Sequence, residues 1–188
     1  MGDDSSRGQI IFLNGASSSG KSSIARALLP ILQQPYFHLS VDAFNAMRDR
    51  RTLSNPELAS TLERTVLGFH RAVAGMVSAG NNVVVDHVLR ERSWLVDCLQ
   101  LFAGGDVVFV AVRCSFPELE RREHGRGDRI AGRAANHIDR VHASCLYDLE
   151  CDTEVNAPSR CAELILAFLA VPGAKRVFDR MRASPEYS

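Results

Sequence analysis

Gly15 to Ser22 reads Gly-Ala-Ser-Ser-Ser-Gly-Lys-Ser, a complete G-x-x-x-x-G-K-[ST] loop, and it restricts what can surround it in the chain. Such a loop cradles phosphate only when a strand feeds it and a helix leaves it. Both are legible. Gln9-Ile10-Ile11-Phe12-Leu13-Asn14 has the length and content of a buried parallel strand, and Ser22 to Leu32 carries apolar residues at helical spacing. Glycines let backbone N–H groups turn onto phosphate oxygens, and the free donors at a helix start add a positive dipole end. Gly15, Ala16, Ser17, Ser18, Ser19, Gly20, Lys21, Ser22 and Ser23 are therefore the expected phosphate-binding residues. Lys21 reaches the β/γ-phosphates, and the Ser22 hydroxyl is placed to hold Mg²⁺. Only two lysines, Lys21 and Lys175, stand among 22 basic residues, so a lysine in this loop is not incidental composition.

With 188 residues the chain is predicted to form a single domain spanning 1–188. A formal net charge of zero argues against a polynucleotide partner. Met1 to Gly8 lacks the apolar core of a secretory signal and no stretch is long enough to span a bilayer, so a cytoplasmic protein without membrane association is expected. Cys98, Cys114, Cys145, Cys151 and Cys161 form no Cys-x-x-Cys pair and read as small buried side chains.

Five strand candidates alternate with helices: Gln9 to Asn14, Tyr36 to Val41, Asn82 to Asp86, Asp106 to Arg113 and Leu149 to Asp152. That alternation predicts an α/β fold with a parallel sheet covered on both faces. Ser54, Pro56 and Glu57 mark the start of a long helix whose Leu58, Leu62, Val66, Phe69 and Val73 share one face, ended by Gly80. Further helices are predicted over Ser93 to Phe102, from Pro117 to about His124, over Arg133 to Tyr147 and over Ser159 to Ala170. The polar tail, 172–188, is expected to fray or dock weakly.

Two of these strands end in carboxylates. Asp86 closes an apolar strand and is the second element such a loop needs to orient Mg²⁺. Asp42 follows the neighbouring strand, where it can position an incoming hydroxyl and accept its proton, or else cap a helix beginning at Ala43. His87 stays outside the core site, as a packing or capping residue. Arg121, Arg122, Arg133 and Arg140 are interleaved with acids and read as a salt-bridged helix face. Arg126 and Arg129 differ, because they flank Gly127-Asp128 in a hinge that would let a mobile lid, about 117–140, bring planar cations onto ATP.

The combination resembles the chloramphenicol 3-O-phosphotransferases, a family of P-loop small-molecule kinases. The resemblance spans about Ile10 to Leu169 and rests on Leu13-Asn14-Gly15 with the loop, Val41-Asp42, Val85-Asp86, Val112-Arg113-Cys114 and the stretch Arg126-Gly127-Asp128-Arg129-Ile130-Ala131-Gly132, continued by Val141-His142, Tyr147-Asp148 and Asp152-Thr153. It implies a five-stranded parallel sheet with a small arginine-rich lid, ATP and Mg²⁺ as cofactors, and Asp42 as the base toward the acceptor. It further implies Arg126 and Arg129 as nucleotide ligands, with Arg129 joining Lys21 and Asp42 in catalysis, and a loop at Asp152 to Ala157 beside adenine. Ala43 to Ala79, where such kinases shape the acceptor pocket, matches the family little, and Arg48, Arg50 and Arg51 are unlike what an uncharged antibiotic needs. The expected activity is ATP-dependent phosphorylation of a small hydroxylated molecule. The alternatives are a nucleoside or other metabolite kinase, and a nucleotide-dependent switch that binds a protein partner.

Overall fold

The apolar runs assemble into one sheet. The computed structural model describes residues 7–49, 51–126, 138–143, 145–171 and 176–187. Strands β1 (Ile10–Asn14), β2 (Tyr36–Ser40), β3 (Asn82–His87), β4 (Val107–Arg113) and β5 (Leu149–Asp152) pair in parallel in the order β2-β3-β1-β4-β5. Between them run α1 (Lys21–Leu28), α2 (Val41–Ala46), α3 (Asn55–Ser78), α4 (Arg92–Leu101), α5 (Phe116–Arg126), α6 (Ile138–His142), α7 (Pro158–Leu169) and α8 (Val177–Arg182).

Alternation along the strands builds two cores. Ile10 and Phe12 of β1, Val83 and Val85 of β3, and Val107 and Phe109 of β4 pack against Phe69 of α3, Leu95 of α4 and Phe178 of α8. Ile11, Leu13, Val84, Val108 and Val110 face the other way, onto Ile24 and Leu28 of α1 and Ile165 of α7. Strands covered on both faces read as continuous apolar runs, which is why the sequence announces them. Cys98, Cys151 and Cys161 are buried free thiols, while Cys114 and Cys145 are half-buried.

Several boundaries move. The helix expected over Ser22 to Leu32 gives way after Leu28 to a tighter turn at Leu29–Ile31, where Pro30 cannot donate the next helical hydrogen bond. Strand β2 ends at Ser40, so Val41 and Asp42 already belong to the first turn of α2. Ser40, not Asp42, occupies the N-cap position, which removes the capping role considered for Asp42. Helix α3 starts where Ser54, Pro56 and Glu57 mark it, and Ser54 and Glu57 form a capping box in which the Ser54 backbone N–H donates to Glu57 Oε2 at 2.9 Å. The arginine-rich helix beginning near Pro117 forms as α5, and within 133–147 the described helix is α6.

The described part of the tail is a correction. It neither frays nor docks weakly: Val177, Phe178, Met181 and Tyr187 are buried. Phe178 sits 5.0 Å from the Phe109 ring and 6.2 Å from that of Phe12, and Asp148 Oδ1 accepts a 3.0 Å hydrogen bond from the Val177 backbone N–H. The Val177, Phe178 and Met181 spacing closes the open side of the first core. We therefore expect Phe178→Ala to cost about 3–5 kcal/mol, read as a lowered urea midpoint at unchanged slope. A midpoint within experimental scatter of the parent would show that α8 contributes nothing to the core.

Candidate active site

The loop leaves the sheet at its centre. β1 lies between β3 and β4, with Asn14 level with His87 and Ala111, so residues 15–20 emerge at the carboxyl edge where ligands of open α/β sheets gather. A Cβ on Gly15 would stand 2.3 Å from the Val112 carbonyl oxygen, so no larger residue fits. Gly20 adopts φ +100° directly before α1, a left-handed conformation that favours glycine, and no side chain caps the start of that helix. Ser18 is also left-handed, at φ +64°. The hydroxyls of Ser18 and Ser19 are buried without a hydrogen-bond partner among the described residues.

Lys21 folds across its own loop. Its Nζ donates to the carbonyls of Gly15 at 3.0 Å and Ala16 at 2.9 Å, and lies 3.8 Å from Asp86 Oδ1. Ser22 Oγ donates to Asp86 Oδ2 at 2.5 Å, and His38 Nε2 stands 3.8 Å from the same oxygen, beyond hydrogen-bond range. Burial works to raise the Asp86 pKa, but the Lys21 ammonium, with help from His38 and Ser22, carries it down to about 2. Asp86 is therefore an anion at every working pH. With Ser22 it offers the hard oxygen donors Mg²⁺ prefers, and a magnesium ion needs only one or two protein oxygens when phosphates and water complete its shell. No larger cluster of metal-ligating side chains occurs among the described residues.

A depressed carboxylate pKa also predicts an acid limb. Ionised Asp86 contributes on the order of 2 kcal/mol at neutral pH. That stability is complete above the ordinary value of 3.8 and is lost as pH falls through about 2. Urea midpoints measured from pH 5 to pH 2 should therefore fall less steeply in Asp86→Asn than in the parent. Parallel slopes would show that Asp86 is not held by its neighbours.

Two braces escaped sequence reasoning. Thr153, just after β5, donates from Oγ1 to the Ser19 carbonyl at 2.7 Å, while Arg122 of α5 donates to Thr153 Oγ1 at 2.9 Å and to its carbonyl at 2.8 Å. Arg122 thus does more than pair with Glu118 on a solvated face. Asn14, fully buried, accepts from the Leu89 backbone N–H at 2.9 Å and donates to the Val141 carbonyl at 3.0 Å and to Tyr147 Oη at 2.8 Å. Its sequence signals were the polar end of an otherwise apolar strand and its place in the Leu13-Asn14-Gly15 stretch of the family resemblance.

One cavity of about 260 Å³ joins the loop to the α2–α3 side. Ser17, Ser18, Gly20, Lys21, Ser22 and Asp86 line one end; Asp42, Asn45, Thr65 and Arg90 line the other, between Val41, Leu62, Val66 and Trp94. Of the expected site residues, Gly15, Ala16, Ser19 and Ser23 shape the loop or α1 without lining the cavity. Asp42 does line it, on the element predicted to hold the acceptor. Arg129 lies outside the described residues, as do the Arg126 side chain and Arg50. Arg48 and Arg51 bond to Asp49 at the surface and do not line the cavity. His87, set aside from the sequence, is a wall of the cavity.

The family profile of chloramphenicol phosphotransferase-like proteins matches residues 8–170. The chain belongs to this family. Two proteins of Mycobacterium tuberculosis, each named "Putative O-phosphotransferase", are 31% identical to it over 199 residues, covering 93% of this chain and 88% of each relative. The fold is shared at lower identity with solved kinases. The Mycobacterium tuberculosis APS kinase CysC, in complex with AMPPNP and APS, superposes with a TM-score of 0.65 at 18% identity, over 88% of this chain and 99% of that one. A gluconokinase from Sinorhizobium meliloti gives 0.59 at 20% identity, over 88% and 93%. Family and fold together support a phosphotransferase with a nucleotide-binding loop. Helix α8 lies beyond the matched segment. Among the described residues no helix is long and apolar enough to cross a membrane.

Proposed function

We propose that the chain transfers the γ-phosphate of ATP to a hydroxyl of a small molecule. The observation that carries this reading is the single cavity shared by the phosphate loop and Asp42. A site that only hydrolysed nucleotide would have no use for a half-apolar wall of Val41, Leu62, Val66 and Trp94 beside the γ-phosphate position. The backbone of residues 15–20 and the start of α1 hold the phosphates, and Lys21 adds a mobile positive charge against them. Ser22 and Asp86 hold Mg²⁺, which neutralises charge on the phosphate oxygens when bound. Asp42 orients the incoming hydroxyl and takes its proton as the new O–P bond forms. The apolar wall excludes water that would otherwise compete, while Arg129 and the side chain of Arg126, nucleotide ligands by the family resemblance, lie outside the described residues.

Net neutrality and a small cavity favour a metabolite or antibiotic acceptor over a polynucleotide. Supplying ATP, Mg²⁺ and a panel of alcohols that includes chloramphenicol and sugar acids tests the proposal. ADP release that rises only with particular alcohols, together with their phosphorylated products, is expected. Release indifferent to every alcohol, with a protein partner captured only in the nucleotide-bound state, would replace it with the switch reading.

A further inference from the structure

The end of the cavity away from the loop holds a cation to which the transfer step assigns no task. Arg90 stands in the short stretch between β3 and α4 and lines the cavity together with Trp94. Arginines close by are matched with acids: Arg92 Nη1 lies 3.7 Å from Glu186 Oε1, and Arg140 Nη2 donates to Glu91 Oε2 at 3.1 Å. Arg90 is met less well. Among the described residues its side chain makes no hydrogen bond, and the acid closest to it, Glu91, keeps Oε1 3.9 Å from Nε, beyond hydrogen-bond range, while bonded to Arg140.

The guanidinium is nevertheless held in place and reachable. Its Cζ lies 4.9 Å from the centre of the Trp94 ring, a cation–π distance that seats the head against another wall of the cavity. Nε is buried without a partner, whereas Nη1 and Nη2 keep access to solvent, and the side chain as a whole is 39% exposed. Two parallel N–H donors of this kind grip the edge of a carboxylate or a phosphate. The apolar surroundings, Val41, Leu62, Val66 and Trp94, strengthen such a contact by keeping the local dielectric low. Lys21 cannot substitute, because its Nζ is engaged with the Gly15 and Ala16 carbonyls and lies 3.8 Å from Asp86 at the loop end. Asp42 lines the same end as Arg90, so an anion entering beside it and a bound triphosphate needs a cation of its own. Arg90 supplies one.

We propose that Arg90 sets acceptor specificity, and that the acceptor is an alcohol that also carries an oxyanion, a carboxylate or a phosphate. The proposal rests on this cavity being the acceptor site. The hydroxyl is directed to Asp42, the oxyanion to Nη1 and Nη2 of Arg90 over the Trp94 ring, and the body of the molecule to the apolar wall. An uncharged molecule of the same shape leaves the guanidinium unmet, and an amine in that position meets it with like charge. Charge-assisted hydrogen bonds carry the discrimination, so a preference of about tenfold or more is expected for the oxyanion over its uncharged counterpart.

Trp94 is the only tryptophan of the chain, so its fluorescence reports on the ring beneath Arg90 without label or turnover. The full chain is titrated with para-hydroxymethylbenzoate against para-hydroxymethylbenzamide, and with glycerol phosphate against glycerol. The first pair tests a carboxylate and the second a phosphate ester. In at least one pair the charged member should shift Trp94 emission at concentrations about tenfold or more below those of its uncharged partner, which names the oxyanion. Charged and uncharged members that act alike in both pairs, or that act not at all, overturn the proposal. Arg90→Met keeps an apolar stem against Trp94 and removes the charge, and should bring the charged compound down to the level of the uncharged one while ATP affinity, read by calorimetry, stays close to that of the parent. A preference that survives in Arg90→Met overturns the proposal, and so does a loss of ATP affinity, which would give Arg90 to the triphosphate. Arg90→Gln serves the same comparison if the methionine variant does not fold. Each compound is also supplied with ATP and Mg²⁺. Uncharged alcohols that stimulate ADP release as well as charged ones leave the phosphotransfer reading standing and remove this proposal. Charged compounds that bind through Arg90 without stimulating ADP release leave the oxyanion site standing and remove phosphotransfer.

Discussion

Replacing Lys21 by alanine is expected to lower kcat/KM by about a hundredfold or more. The side chain is 6% exposed and belongs to the loop itself, donating to the carbonyls of Gly15 and Ala16. In the proposed mechanism its removal deletes the loop ammonium that follows charge as it moves from the leaving to the transferring phosphate. It also strips Asp86 of its main electrostatic support, so burial would then raise that carboxylate pKa, and the metal-holding pair with Ser22 would weaken. Lys21→Arg should rescue little, because a planar fork does not fit where a compact ammonium is enclosed by two backbone carbonyls. Steady-state kinetics with ATP and a responsive alcohol, paired with calorimetry for ATP, separates lost transition-state contact from lost binding. Turnover within about threefold of the parent would remove Lys21 from the mechanism.

The second large effect belongs to Asp42→Asn. A positioned base contributes about 10²- to 10⁴-fold, and the amide keeps the shape of the carboxylate while losing its ability to take a proton. Because Asp42 stands on α2, apart from the loop, ATP affinity should stay close to that of the parent while transfer is lost. The expected signature is a fall in kcat with little change in KM for ATP. A variant that still phosphorylates alcohols at near-parental rates would move the base elsewhere, and one that also loses ATP would make Asp42 part of the nucleotide site.

The residues that could be found in the sequence were those with a local cause. The loop is contiguous, the strands are buried on both faces and so read as unbroken apolar runs, and Asp86 follows from the end of such a run. The braces were invisible because their partners lie far apart: Thr153 and Ser19 are separated by 134 positions, and Asn14 and Tyr147 by 133. His70 left a fainter mark, a polar residue on the apolar face of α3, but nothing local tells a core histidine from one paired to Asp97. The average polarity of the tail hides helix α8, although Val177, Phe178 and Met181 carry a one-turn apolar stripe within it. The expected strand Tyr36 to Val41 runs one residue past the observed end of β2 at Ser40, since nothing local shows whether β2 or α2 claims Val41.

A cavity lined at one end by the phosphate loop and at the other by Asp42 has a bearing on the order of events. On the proposed function neither donor nor alcohol would need to leave before the other arrives, so no side chain would have to carry the phosphoryl group in between, and its passage is expected to be direct, with inversion at phosphorus. Initial-rate plots at several fixed alcohol concentrations should then intersect, and radiolabel should not pass between ADP and ATP until an alcohol is supplied.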